Sequence, residues 1–322
     1  MRPLFPEIRP FENEMLDVGD DHQLYFERCG TPTGIPVLVV HGGPGAGCSE
    51  QMRRFFDPER YHIILLDQRG TGRSTPYACV ENNTTDDLLD DMERLRKHLQ
   101  ISRWVLFGGS FGATLSLLYA EKYPQHVCGL ILRGVFLGRQ QDLDWLYRQG
   151  AGRFFPEEWQ RFNAPVADMA GTDIIENYYQ IVHGENDLAK VAAAKAWARW
   201  EAASSAFRPH QSAQDNYLVT HTALALARIS THYFLNHCFI DVDQILKNVG
   251  KIADIPGYIV QGRYDMICPP DQAWELANQW PNAELDLVRE GGHSGFDSAM
   301  IDALILATYR MAKRLGSPED EA

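Results

Sequence analysis

The chain has 322 residues; 30 Lys and Arg against 43 Asp and Glu leave a formal net charge of -13, and 45% of the residues are hydrophobic. This balance excludes a wholly disordered chain and argues against a nucleic-acid or anionic-membrane partner. A chain this long can bury a large core, as one large domain or one domain with a substantial insertion.

The N-terminal stretch MRPLFPEIRPFENEML mixes charges and prolines and lacks the apolar centre of a secretory signal. No window approaches the eighteen or so consecutive apolar residues of a membrane span. Cys29, Cys48, Cys79, Cys128, Cys238 and Cys268 are scattered without a CxxC pair. They read as reduced thiols of a cytoplasmic protein, not as a disulfide framework or a zinc site.

Residues 37–41 (VLVVH) form an apolar run that ends in the turn GGPGAG. Residues 61–66 (YHIILL) form a second buried strand, followed by DQRGTGRS. Leu88, Leu89, Met92, Leu95 and Leu99 share one face of a helix over 86–99. A third strand at 104–107 (WVLF) leads into an apolar helix at 111–123, stopped by Pro124, and a fourth strand follows at 127–132. Such alternation predicts a mostly parallel sheet covered on both faces.

The rhythm is lost over 137–245, where the Ala-rich stretch NDLAKVAAAKAWARWEAASSAF and the stretch THTALALARISTHYFLNHC both read as helices. It resumes with a strand at 256–261, a helix near 272–278, a strand at 285–288 and a long helix at 297–314. The simplest organisation is an α/β core formed by 1–136 and 246–322, interrupted by a helical cap at 137–245.

Gly108-Gly109-Ser110-Phe111-Gly112 has the form Gly-x-Ser-x-Gly, between a predicted strand and a predicted helix. A strand, a tight turn and a helix present the serine at a nucleophile elbow. The helix N-terminus favours developing negative charge. A neutral serine needs a base, and the base needs an orienting acid. His293 in GGHSG and Asp265 in QGRYDMICPP both follow C-terminal strands, and the order Ser110, Asp265, His293 matches the α/β-hydrolase triad order. Asp271 and Asp297 compete with Asp265, but each is better placed to cap a helix. His221, His232 and His237 compete with His293 but lie in the cap.

Acyl transfer builds charge on a carbonyl oxygen, and two convergent N–H groups stabilise it. The Phe111 N–H is one candidate; the Gly43 N–H, in the loop HGGPGAG, is the other. Neither GGPGAG nor DQRGTGRS carries a clean dinucleotide fingerprint or the Gly-Lys-Ser/Thr of a P-loop, so a nucleotide site is not expected. No HExxH occurs, which argues against a metallopeptidase.

Taken together, HGGPG at 41–45, DQRGTGRS at 67–74, GGSFGATL at 108–115, LRG at 132–134, RFFPEEW at 153–159, WE at 200–201, GRYDM at 262–266 and GGHS at 291–294 resemble the proline iminopeptidase family of the α/β-hydrolase superfamily. The resemblance spans nearly the whole chain. It implies a mostly parallel central sheet with an inserted helical cap, and release of an N-terminal proline through a serine acyl-enzyme without metal or other cofactor. It implies Ser110 as nucleophile, His293 as base, Asp265 as its partner, and Gly43 and Phe111 as oxyanion donors. It also implies Glu201 as the cap carboxylate that holds the charged terminus, with Arg133 orienting the cap acids. Short peptides with a free N-terminus are the implied partners.

One position departs from the family. Where its members usually read Arg-Ile-Glu-Asn-His-Tyr-Phe, this chain has Arg228-Ile229-Ser230-Thr231-His232-Tyr233-Phe234. A serine accepts a hydrogen bond but supplies no full charge. Two outcomes stay open: a weaker pocket for the terminal amine, or Glu185, Asp187 or Asp215 reaching in from another cap segment as a replacement acid. An esterase or amidase acting on small uncharged acyl groups is the enzyme alternative, and a catalytically silent binding protein is the remaining one.

Overall fold

A computed structural model describes residues 1–171, 173–207 and 219–316. Its centre is an eight-stranded sheet in the order β1-β2-β4-β3-β5-β6-β7-β8. Strands β3 (Ile35–Val40), β4 (Tyr61–Leu66), β5 (Trp104–Gly109), β6 (Val127–Arg133), β7 (Gly257–Gly262) and β8 (Ala283–Val288) run parallel. Every residue of β4, β5 and β7 is buried, which suits their β-branched and aromatic side chains to strands covered on both faces.

The sequence reading missed β1 (Glu12–Gly19) and β2 (His22–Gly30), an antiparallel hairpin whose second strand pairs with β4. Strand β1 lies at the sheet edge, and its charged, largely exposed ENEMLDVG hides the alternation that marks a half-buried strand. The turn is made by Asp20 and Asp21 at φ 53° and 62°, positive values suited to a tight two-residue hairpin loop.

Helices α1 (Thr85–His98) and α2 (Phe111–Lys122) follow β4 and β5. Thr84 and Asp87 close a capping box at the start of α1. Between β6 and β7 lie α3 (Gln140–Asp144), α4 (Pro156–Asn163), α5 (Ile174–His183), α6 (Asp187–Ser205), α7 (Thr220–Leu235) and α8 (Gln244–Asn248). They form the inserted helical cap of the α/β-hydrolase fold. The Asn186 side chain caps α6 by accepting from the Ala189 N–H. Helix α7 is fastened to the core: Tyr233 Oη donates to Asn83 Oδ1 at 2.9 Å and Arg228 Nε to the Ala78 carbonyl at 3.2 Å.

Helices α9 (Pro270–Gln279) and α10 (Ser298–Leu315) complete the core. Pro269, not Asp271, occupies the N-cap of α9; Asp271 lies in the first turn. Asp297 does hold the N-cap position of α10, but its side chain makes no capping bond. Among the described residues, no helix is long and apolar enough to cross a membrane.

Helix α2 carries a buried carboxyl without a hydrogen-bond partner among the described residues. Glu121 is buried, both carboxylate oxygens lack a hydrogen-bond partner among the described residues, and burial pushes its pKa from 4.5 up to about 8. The folded state therefore holds this proton more tightly than the unfolded chain. The linked stability is present below pH 4.5 and is lost as pH rises toward 8. Glu121→Met is expected to unfold at higher temperature than the parent at pH 8–9, by on the order of 1–3 kcal/mol, with a smaller difference near pH 5. Thermal melts at the two pH values check this.

Candidate active site

Ser110 sits between β5 and α2 at φ 57° and ψ -127°, a conformation that non-glycine residues rarely adopt. Its neighbours make the turn possible. A methyl group on Gly108 would stand 2.3 Å from the Gly112 carbonyl oxygen, and one on Gly112 would stand 2.1 Å from that of Val40. The Ser110 N–H is held by the Arg133 carbonyl at 2.9 Å.

Asp265 follows β7 and His293 follows β8. His293 Nδ1 lies 2.8 Å from Asp265 Oδ2 and 3.0 Å from Oδ1. Asp265 Oδ1 also accepts from the N–H groups of Ile267 at 3.0 Å and Cys268 at 2.7 Å, and Oδ2 from Gln261 Nε2 at 3.1 Å. This cradle presents the carboxylate in one orientation to the imidazole. Burial, with the Arg133 charge adding to it, holds the His293 pKa below 6.5 against the opposing pull of Asp265. The ring is thus neutral near pH 7, as a general base must be. Gly134, next to the residue that holds the Ser110 amide, packs against this ring: a methyl there would stand 2.8 Å from His293 Cε1.

The loop after β3 approaches the same elbow. A methyl on Gly42 would stand 3.1 Å from Ser110 Cβ and 3.5 Å from the Phe111 nitrogen. Gly43 adopts φ 115°, which a side chain would resist. The Phe111 N–H is the first of α2, one of the amides a helix leaves unpaired.

Glu201 lies in α6, partly buried beside aromatic rings. Its Oε1 accepts from Trp197 Nε1 at 2.7 Å and Tyr147 Oη at 2.8 Å. Burial raises its pKa to about 7, against the two hydrogen bonds that lower it. Tyr147 stacks on Trp197 at 4.7 Å and packs against Phe234 at 5.5 Å; Phe234 meets Phe136 at 6.2 Å.

Arg133 Nη1 donates to the His293 carbonyl at 2.7 Å. Ser230 is buried, and its hydroxyl donates to the Pro44 carbonyl at 2.8 Å, bracing the HGGPG loop. Glu185 and Asp187 are exposed, and Asp187 pairs with Lys190 at 3.1 Å; Asp215 lies outside the described residues. His232 is bound to the Asn83 carbonyl at 3.0 Å, and His221 stacks on Tyr77. Sequence reasoning missed Tyr147, Gln261 and Cys268. Trp197 carried a signal, since it precedes Glu201 by four residues and so shares its helix face.

The chain matches the alpha/beta hydrolase fold family over residues 35–299. It is 47% identical to the proline iminopeptidase of Xylella fastidiosa over 309 residues, covering 96% of this chain and 99% of that protein. It is 46% identical to the proline iminopeptidase of Neisseria gonorrhoeae over 309 residues, with 95% and 98% covered. Among solved structures, a bromoperoxidase from Bacillus anthracis superposes with a TM-score of 0.68 at 20% identity, covering 94% of this chain and all of that one, a likeness of fold alone.

A serine-directed phosphonate is expected to label the protein at Ser110 and to leave Ser110→Ala and Ser110→Gly unlabelled, as intact-mass measurement will read. Ser110→Gly should also melt above Ser110→Ala, because glycine relieves a backbone strain of about 1–3 kcal/mol.

Proposed function

This chain belongs to the proline iminopeptidase family of α/β hydrolases, and on that premise we propose that it is a serine aminopeptidase releasing N-terminal proline from short peptides. In this reading Ser110 Oγ attacks the first peptide carbonyl while His293 Nε2 takes its proton. The Gly43 and Phe111 N–H groups receive the oxyanion, and Asp265 stabilises the imidazolium. His293 then gives its proton to the leaving amine as the C–N bond breaks. Water, deprotonated by His293, attacks the acyl-enzyme ester, and Ser110 recovers its proton as proline departs.

The observation that carries the aminopeptidase reading is the Glu201 carboxyl. A partly buried acid with two hydrogen bonds to one oxygen and a raised pKa is poorly served by water and well matched to a substrate cation. The surrounding rings of Phe136, Tyr147 and Phe234 suit a compact apolar ring such as that of proline. The six unpaired cysteines support a reducing, cytoplasmic setting.

Ser230 faces Pro44, and Glu201 is the carboxylate found in this pocket among the described residues. That favours some hydrolysis of small uncharged acyl esters as a second activity. Comparison of prolyl-arylamide, alanyl-arylamide, Nα-blocked prolyl-arylamide and a short acyl ester separates the readings. The free prolyl substrate is expected to exceed the blocked one by well over tenfold; equal rates would sink the aminopeptidase reading.

Glu201→Gln is expected to lower kcat/KM for the free prolyl substrate by about 10–100-fold and to change ester turnover little. The sign of the pH effect follows from the raised pKa. Glu201 gains its charge as pH rises through about 7, so kcat/KM for the prolyl substrate should climb across that range. Ester turnover should instead follow His293, with its acid limb below 6.5. pH–rate profiles of both substrates check the difference.

A further inference from the structure

Helix α6 ends one turn after Glu201, and its end is tied to the loops that carry His293 and Asp265. The Ser205 carbonyl accepts from the Ser294 N–H at 2.9 Å. Asp297 Oδ2 accepts from the Phe207 N–H at 3.1 Å and, on the same oxygen, from the Gly292 N–H at 3.1 Å. Gly292 and Ser294 flank His293. The contact is tight: a methyl on Gly292 would stand 2.7 Å from the Phe207 nitrogen and 3.0 Å from the Ser205 oxygen. The Phe207 ring stacks on Tyr264, the residue before Asp265, at 5.4 Å.

Asp297 occupies the N-cap of α10, where an acid ordinarily accepts from the second or third helical N–H. It makes no such bond, although capping is the usual way such a residue adds stability. The carboxylate is 7% exposed and bridges two segments 85 positions apart in the chain, Phe207 from the cap and Gly292 from the core. Bonds from N–H groups to an ionised carboxylate are among the stronger ones.

We propose that Asp297 is a positioning residue: its carboxylate clasps the end of α6 to the His293 loop and holds Glu201 at a fixed distance from the catalytic base. Glu201 and Ser205 are four residues apart, about 6 Å along the helix axis, so a tie at Ser205–Phe207 sets the position of Glu201 directly. Another cap helix, α7, is fastened at separate points, Asn83, Ala78 and Pro44. A dipeptide bound with its cation on Glu201 and its carbonyl on Ser110 spans the seam that the clasp closes. Small errors across such a seam are costly to a reaction that depends on placement.

This inference rests on the assignment of Glu201 to the substrate cation, and the test separates the two. Asp297→Ala and Asp297→Asn are made alone and with Glu201→Gln, and each is assayed on prolyl-arylamide and on a short acyl ester that carries no amine. Asp297→Ala is expected to lower kcat/KM for the prolyl substrate by about tenfold or more and ester turnover by clearly less, so that the prolyl-to-ester ratio falls. Asp297→Asn, which keeps the size and one acceptor, should fall between Asp297→Ala and the parent. In the Glu201→Gln background the ratio should no longer respond to Asp297, because coupled residues are not additive. Equal losses on both substrates, or losses that multiply independently of Glu201, would overturn the clasp and leave only a structural role. Thermal melts accompany each variant; if Asp297→Ala does not fold, Asp297→Asn carries the same comparison. Failure of the Glu201 assignment shows earlier, in wild-type protein that treats free and blocked prolyl substrates alike.

Discussion

The turn between β5 and α2 is the constraint on which the rest of the site depends. Ser110 reaches its half-buried, strained position only because α2 starts hard against the end of β3, with Gly112 under the Val40 carbonyl. That contact has a consequence one residue on. His41 and Gly42 continue from Val40, so the chain leaving β3 arrives beside the Phe111 nitrogen without any further device. On the other flank, the Arg133 carbonyl pins the Ser110 amide, and the following Gly134 gives way to the His293 ring. Nucleophile, proposed oxyanion donors and proposed base are thus spaced by close backbone contacts, which resist small displacement better than flexible side chains do.

A set of charges, buried except for the exposed Arg73, holds the loops around this centre. Asp67 accepts from the Cys48 N–H at 2.8 Å and from Arg73 Nε at 2.7 Å, and Glu27 pairs with Arg53 at 2.6 Å and Arg73 at 3.0 Å. Gln68 Nε2 donates to the His41 carbonyl at 2.8 Å. The glycine-rich turn DQRGTGRS is therefore folded around its own carboxylate: a methyl on Gly72 would stand 2.4 Å from Asp67 Oδ2. Buried pairs of this kind add little net stability, but breaking one partner is costly, so they specify loop geometry.

In the proposed reading, the cap supplies the carboxyl that would distinguish this site from a plain esterase. Its aromatic packing raises the Glu201 pKa to about 7, so the carboxyl is about half ionised at neutral pH. Ser230, at the place of an expected acid, braces the HGGPG loop from above. The same cap helix that carries Glu201 ends in hydrogen bonds to the segment around His293, so cap and core share the seam at which a substrate would lie.

Most of the parallel sheet was legible because fully buried strands leave unbroken apolar runs, and the elbow because a strand-to-helix turn of this tightness demands glycine at set positions. The edge hairpin was not, since exposed edge strands carry charges that conceal their alternation. The candidate triad was readable from chain order, because loops at the C-terminal ends of parallel strands converge whatever their separation in sequence. By itself, then, the sequence determined the core topology and the residues available for chemistry. Tertiary structure decided their partners: that Arg133 holds the His293 carbonyl, that Ser230 serves Pro44, that Tyr147 and Trp197 share one oxygen of Glu201, and that Asp297 leaves its helix uncapped. Side-chain hydrogen bonds between segments scores of residues apart depend on distance and angle, and neither is written in composition or local spacing.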